Sequence, residues 1–367
     1  MISIALLSKN ESILQGENVY FQKFVAKNGE KYGLRFGEPK DALEISNIFK
    51  EIYGYDYINP VVYNIDLLKK DILKKNNLWF VGELLETKEI AGLGLIEKER
   101  YIAHASKAVA RKKYQGLGVT TKIGAAGILT VTKMPDFSDV LRLNIEVRGP
   151  EIRAQKLVEN AGALPYGLVP AYLNYGDKRN FYVDDNKPYP PNKEEAAILY
   201  SIIFRELWKR REKTIYLHDD DDYNFFYERI RIRCKKMKDD DVIYVKGRKN
   251  WGHELYGVSK EYYEGIIKLY GYVKEKSLNN LIKTYHNWRI ILWRVPTTQN
   301  GLHSMALAIE KGFKVVGYDI GFSNVNWTLY DSVILAYYPN RSSQSLEVNI
   351  LDGNKPLLNK IKEQYSN

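Results

Sequence analysis

Apolar positions along the first half of the chain switch repeatedly between a two-residue and a three-to-four-residue spacing, and those switches lay out a mixed α/β order. Tyr32–Phe36 has the alternation of a short strand. The turn Glu38-Pro39-Lys40-Asp41 then starts an amphipathic helix whose apolar face is Leu43, Ile45, Ile48, Phe49 and Ile52. A tyrosine-rich stretch, Tyr53 to Pro60, separates it from a second helix through Asp66, Leu67, Leu68 and Ile72. Three strand-like runs follow, Leu78–Leu84, Ile90–Ile96 and Ala103–Ala110, with short polar breaks that suit antiparallel hairpins. Beyond a glycine turn come a helix to about Lys133, a strand at Leu141–Val147, a helix at Ile152–Asn160 and a strand at Leu168–Leu173. Such an order predicts an α/β chain of the α+β type, with mixed, largely antiparallel sheets layered with helices.

Between Tyr175 and Glu195 the chain turns polar and carries Pro188, Pro190 and Pro191, the composition of a linker. A shift of 150 residues superposes Leu141–Val147 on Ile291–Thr297, Gly162 on Gly312 and Gly167 on Gly317, so that strand, helix, glycine, strand occurs twice. The same shift carries Gln115–Gly118 onto Gly265–Lys268, which lacks the paired glycines, so the second copy is not expected to hold a cofactor. The expected organisation is an N-terminal extension (1–30), a first domain (31–178), a linker (179–195), a degenerate second domain (196–340) and a tail (341–367) with a short helix at Lys355–Tyr365.

Composition narrows the function classes. A chain of 367 residues, 45% hydrophobic, can bury two cores. The single cysteine, Cys234, excludes an intramolecular disulfide, and no Cys/His spacing suits structural zinc; a reducing, cytoplasmic setting is expected, with no metal. The apolar run Ile2–Leu7 is too short for a signal-peptide core, and no uncharged stretch is long enough to span a bilayer. Glu17–Gln22 resembles a protease-cleavage sequence among native-looking neighbours. The net charge of +10 suits an anionic ligand of any kind. Basic residues interleaved with Trp208, Phe225, Phe226 and Tyr227 have the composition of a nucleic-acid surface. The acidic blocks Asp219–Asp222 and Asp239–Asp241 argue against that partner, because they would repel phosphates. His218-Asp-Asp-Asp-Asp222 lacks the turn glycine of a Ca²⁺ loop and reads as a solvated acidic loop.

The segment richest in chemistry is Val109-Ala-Arg-Lys-Lys-Tyr-Gln-Gly-Leu-Gly-Val-Thr120: strand, basic turn, Gly-x-Gly, helix start. Glycines at 116 and 118 let backbone approach a ligand closely, and open N–H groups at a helix start favour a pyrophosphate. A dinucleotide fingerprint needs a third glycine where Thr121 stands, and a Walker loop needs Gly-Lys-Ser/Thr, which is absent. An ordinary glycine turn between strand and helix shares the same order.

Gln115-Gly-Leu-Gly118-Val119-Thr120 resembles motif A of the GNAT acyltransferase superfamily, and the whole order resembles a tandem, two-domain GNAT type whose second domain is degenerate. The resemblance implies that the strand ending at Ala108–Ala110 splays from the strand Leu141–Val147 and that acetyl-CoA lies in the gap. It implies a contact set of Val109, Ala110, Arg111, Tyr114, Gln115, Gly116, Leu117, Gly118, Val119 and Thr120, with the amides from Gln115 to Thr120 on the pyrophosphate. Direct acyl transfer to a primary amine then needs a base, and Glu146, near the end of its strand, is the candidate; a salt-bridged surface carboxylate is the alternative. The family's tyrosine acid is replaced by Val158 within Leu157–Ala163, which opens a second possibility, a non-catalytic GNAT-like module that binds a protein or nucleic acid. Tyr53, Tyr55 and Tyr57, with Tyr63, fall where the family binds its acceptor, although a packed loop fits them equally. His104, between Ala103 and Ala105, reads as a structural histidine.

Overall fold

The computed structural model describes residues 20–184, 187–247, 254–340, 346 and 348–366, so that Ile2–Leu7 lies outside the described residues. By its contacts the chain divides into two compact units, residues 1–146 with 176–180, and residues 147–175 with 181–367.

In the first unit the strands run β1 (Gln22–Val25), β2 (Lys31–Phe36), β3 (Asn77–Leu84), β4 (Ile90–Glu99), β5 (Ile102–Ala110) and β6 (Arg142–Arg148), adjacent in that order. Each pair is antiparallel except β5 with β6, which is parallel. β1 was not legible in the sequence. Its neighbour Phe21 packs against Phe36 and Phe80, and the Tyr20 hydroxyl donates to Glu83, so the stretch from Tyr20 belongs to the fold.

Two layers of helix cover this sheet. On one face, α1 (Ala42–Tyr53) and α2 (Ile65–Leu73) bury Ile45, Ile48, Phe49, Leu68 and Ile72 against Trp79, Val81, Leu93 and Leu95. The entry to α1 is fixed by a buried ionic cluster. Arg35 Nη1 lies 2.7 Å from Asp41, its Nη2 lies 2.8 Å from Glu83, and Asp41 in turn accepts from the Glu38 N–H at 2.7 Å. With both carboxylates within hydrogen-bond distance, the buried guanidinium is not left uncompensated.

On the opposite face lies α3 (Val119–Lys133), and three strand glycines decide how close it comes. A Cβ built at Gly82 would stand 2.7 Å from Val119 Cγ1, one at Gly94 would stand 3.1 Å from Ile123 Cγ2, and one at Gly92 would stand 3.4 Å from Val119 Cγ1. At Gly82 a side chain would force Val119 to shift, and at Gly94 it would press on Ile123, so the first turn of α3 rests closely on β3 and β4.

The second unit holds the larger sheet. Its strands are β7 (Leu164–Tyr175), β8 (Lys193–Ile203), β11 (Leu255–Glu261), β12 (Ile266–Tyr272), β13 (Ile290–Pro296), β14 (Lys314–Val325) and β15 (Thr328–Tyr337), in the order β8-β7-β14-β15-β13-β12-β11. A separate parallel pair, β9 (Thr214–His218) with β10 (Asp241–Val245), flanks α6 (Asp221–Arg233). The remaining helices are α4 (Ile152–Asn160), α5 (Arg205–Arg210), α7 (Glu275–Thr284), α8 (Gly301–Glu310) and α9 (Lys355–Ser366). α9 is the expected terminal helix, and it buries Leu357 and Ile361.

The proline-bearing stretch expected to be a linker joins β7 to β8, and those two strands pair antiparallel from Leu164 opposite Ser201 to Tyr175 opposite Lys193. Main-chain pairing across the stretch therefore makes it the connection of a hairpin, and the division between the two compact units falls after Glu146 instead.

Hairpins β7–β8 and β14–β15 share their irregularities. Register shifts fall between Pro165 and Gly167 and between Val169 and Leu173 in the first, and between Val315 and Gly317 and between Asp319 and Ser323 in the second. Ala171 and Gly321 sit inside the longer bulges with φ of 49° and 59°. The ends of α4 and α8 match too. Gly162 and Gly312 have φ of 88° and 81°, Ala163 N–H donates to Val158 O at 3.0 Å, and Phe313 N–H donates to Ala308 O at 2.9 Å. The shift of 150 residues thus superposes backbone conformations as well as letters. It does not hold at the candidate loop, because Ile266–Lys268 lie inside β12, and the strand-to-helix turn is Val273–Lys274 before α7.

Gly82→Val is expected to lower stability by about 1–3 kcal/mol, since the added methyls overlap Val119 and α3 must lift. Urea denaturation followed by circular dichroism measures it; an unchanged midpoint would refute the close approach.

Candidate active site

β5 reaches the glycine loop with one edge unpaired. Its ladder with β4 runs from Ile102 opposite Glu99 to Ala110 opposite Gly92, shifting register between Leu93 and Leu95. Lys107, inside that shift, has φ of 56°, and the extra residue makes a β-bulge. Towards β6 the parallel ladder begins at Ile102 opposite Arg142 and ends at Ala105 opposite Ile145. Beyond that rung the two strands part, and among the described residues Ser106–Ala110 have no ladder partner on that side. Glu146, exposed, is the first residue of β6 past the last rung.

After Ala110 the chain makes one 3₁₀ turn, Lys112–Tyr114, and enters the glycine segment. Gly116 has φ of 80° and Gly118 has φ of 90°, the latter being the residue that precedes α3. A Cβ at either glycine would meet nothing within 4 Å, so the backbone angle, not crowding, demands glycine, and the space over the turn is open. Lys122 N–H returns to Gly118 O at 3.1 Å. Among the described residues no hydrogen bond accepts from the N–H groups of Gly116, Leu117, Gly118, Val119, Thr120 or Thr121. Six donors without a backbone acceptor therefore lie in and beside the turn at the positive end of a helix dipole, which suits a diphosphate.

The basic residues beside the turn have other partners. Arg111 Nη1 lies 3.0 Å from Glu51, Nη2 lies 3.1 Å from Glu44, and Nε donates to Ile90 O at 3.0 Å, while the Arg111 N–H donates to Ala91 O at 3.0 Å. Its guanidinium ties the end of β5 to α1. Lys113 and the Tyr114 hydroxyl both reach Glu89, at 2.7 and 2.8 Å. Val109 and Ala110 are in the β4 ladder, and Gln115 Nε2 donates to Ala110 O at 3.3 Å. Backbone amides, more than side-chain charge, are what the turn offers a ligand. Glu44 and Glu51 were missed in the sequence, although seven residues apart on α1 they share a face, which was the available signal.

The four tyrosines divide by depth. Tyr57 is buried against Phe49, with ring centroids 4.6 Å apart, and Tyr53 packs on Tyr57 at 5.0 Å. Tyr63 accepts from the Tyr57 N–H at 3.0 Å, and burial pushes its phenol up to about 12. Tyr55 is exposed, stacked edge-on to Tyr63 at 5.3 Å, with the Arg179 guanidinium 3.4 Å from its ring centroid. Arg179 is held by Asp177 at 2.6 Å. No local pattern could announce a partner from so distant a segment. His104 is half-buried in β5 opposite Glu97 and Asn144. Val158 is buried on α4 in the second unit.

Fold and site together define a class of mixed α/β chain in which a bulged, splayed strand leads into a helix with open first-turn amides. No protein-family model and no curated sequence matches the chain. Solved structures similar to it are acetyltransferases, GNAT-family enzymes among them. The ribosomal-protein-S5-alanine acetyltransferase of Vibrio fischeri is 16% identical with a TM-score of 0.39, over 50% of this chain and 98% of that one. A GNAT-family acetyltransferase of Streptococcus pneumoniae is 18% identical with a TM-score of 0.35, over 47% of this chain and 99% of that one. The ribosomal-protein-S18-alanine N-acetyltransferase of Escherichia coli is 16% identical with a TM-score of 0.35, over 47% and 93%. Among the described residues no group of three metal-ligating side chains occurs, and no helix is long and apolar enough to cross a membrane.

Burial would raise the Glu89 carboxyl, but the hydrogen bonds from Lys113 and Tyr114 and the charge of Arg111 outweigh it and hold Glu89 below the ordinary value of 4.5. A carboxylate with a depressed folded value stabilises the fold above its unfolded value, and the contribution is lost as pH falls through the folded value. Thermal midpoints are expected to drop as pH falls below 4.5, and less so in Glu89→Gln; equal slopes in both proteins would contradict the assignment.

Proposed function

We propose that the first unit is an acyl-CoA-dependent N-acyltransferase, with acetyl-CoA as donor and a primary amine as acceptor. The observation that carries this reading is the set of six unpartnered N–H groups at Gly116–Thr121, next to a strand edge left open from Ser106 to Ala110. The turn fits the diphosphate of coenzyme A, because two positive-φ glycines leave open space where any side chain would stand. Bound there, coenzyme A supplies the acyl group as an activated thioester.

The chain's own groups then have distinct tasks. Amides from Gly116 to Thr120 hold the diphosphate, and the free edge of β5 offers main-chain donors and acceptors to an amide-bearing arm. An ammonium must lose a proton before it attacks a carbonyl, and Glu146, exposed where the strands part, is the carboxylate to accept it directly or through water. Val158 cannot protonate a leaving thiolate, so that proton comes from water or another group. We further infer that the hairpins β7–β8 and β14–β15 descend from one duplicated unit, and that the second copy, with Val273–Lys274 at its strand-to-helix turn, holds no coenzyme.

Acetyl-CoA at a hundredfold excess over its dissociation constant is expected to raise the melting temperature by about 5 °C or more. Gly118→Trp should abolish that rise while far-ultraviolet circular dichroism stays native. No shift in the unaltered protein at millimolar ligand would end the reading, whereas a shift without thiol release across a panel of amines would leave a coenzyme-binding module.

Glu146→Gln should lower kcat by about 10²-fold or more and flatten the acidic limb of the pH–rate profile, with the acetyl-CoA thermal shift retained. Undiminished turnover in that variant would exclude Glu146 as the base.

A further inference from the structure

A cluster of cations independent of the acyl-transfer reading lies in the other unit. α5 and the 3₁₀ turn after α6 (Lys235–Met237) enclose a hollow of about 470 Å³ whose lining includes Arg205, Trp208, Lys213, Lys235, Lys236 and Lys238. Among the described residues none of those five cations has an ion-pair partner. Lys209, also in the lining, is held by Glu206 at 2.7 Å. Trp208 is half-buried in the wall, with the Lys236 ammonium 5.2 Å and the Arg211 guanidinium 5.7 Å from its ring centroid.

Of the seven aspartates in the acidic blocks that argued against a phosphate-bearing partner, three are ion-paired and one caps a helix, while Asp221, Asp239 and Asp241 are exposed. Asp240 and Asp331 clamp the buried Arg211, with Nη2 at 2.7 and 2.5 Å. Asp222 pairs with Lys360 at 2.6 Å, Asp219 with Lys246 at 3.5 Å, and Asp220 caps α6 by accepting the Asp222 N–H at 2.9 Å. Asp239 alone brings a carboxylate to the lining. The sequence places acids next to bases, but the fold pairs Asp219 and Asp222 with cations outside the lining and Asp240 with the buried Arg211, and leaves the unpaired lining bases outward.

We propose that this hollow binds single-stranded nucleic acid, with phosphates on the unpaired lysines and arginine and a base against Trp208. An acidic peptide would use only the charges. A half-exposed indole among five cations without ion pairs offers a base a π-surface once the exposed Lys236 side chain swings to a phosphate, and stacking with an electrostatic groove is the general means of holding single strands.

Fluorescence anisotropy of a labelled twelve-nucleotide oligouridylate, with oligothymidylate alongside, tests this on the full chain. Binding is expected to weaken roughly a hundredfold between 50 and 200 mM KCl, the response of about five released counterions at ~0.7 per phosphate contact. Lys213→Ala with Lys236→Ala, both on exposed side chains, should reduce the salt slope by about 1.4. Trp208→Ala should weaken binding about tenfold at fixed salt and leave the slope unchanged. No binding at 50 mM KCl, unchanged affinity in the lysine variant, or equally tight binding of polyglutamate would overturn the proposal.

Discussion

The first unit turns on a strand that completes only one of its two ladders. β5 stays bonded to β4 by inserting an extra residue at Lys107, while its parallel pairing with β6 stops at Ala105. A bulge bends the strand that carries it and increases its local twist, and a bent strand cannot follow a straight neighbour. The main chain from Ser106 to Ala110 is thereby left without a rung on one side, and Glu146 emerges at the fork. The same strand then feeds the glycine turn, so the open edge and the carboxylate at the fork, which follow from one local irregularity, lie on the segments that lead into and away from it.

Close packing of α3 supplies the second half of the arrangement. The three small positions beneath Val119 and Ile123 let the helix start directly on the sheet. Its first-turn amides therefore open beside the strand that ends at Ala110. Electrostatics play a supporting part. Arg111 binds Glu44 and Glu51, and Lys113 binds Glu89, so these cations stabilise the turn's surroundings and leave the donors of the turn itself to the backbone. The net charge of +10 is expressed more plainly in the second unit, where unpaired lysines gather around Trp208.

The hairpins β7–β8 and β14–β15 carry the same backbone irregularity among different side chains. Ala171 accepts a left-handed conformation that its counterpart Gly321 adopts without strain, and both occupy the middle of a four-residue register shift. An L-residue in that region costs about 1–2 kcal/mol, which the surrounding pairing must offset. The turn before α7 has no such constraint and is a two-residue connection without glycine.

The sequence by itself determined the order of strands and helices from Lys31 to about residue 160, the glycine turn, the helix that follows it, and the internal shift of 150 residues, because period, turn chemistry and backbone demand are local properties. Only the tertiary structure decided which charges are free. Arg111 and Glu51 are 60 positions apart, Arg211 and Asp331 are 120 apart, and a linear reading counts each of them as surface charge. The register of β5 against β6, the hairpin that replaced an expected linker, and the partners of Tyr55 were decided in the same way. Such pairings depend on which segments the folded sheet brings together, and no spacing along the chain encodes them.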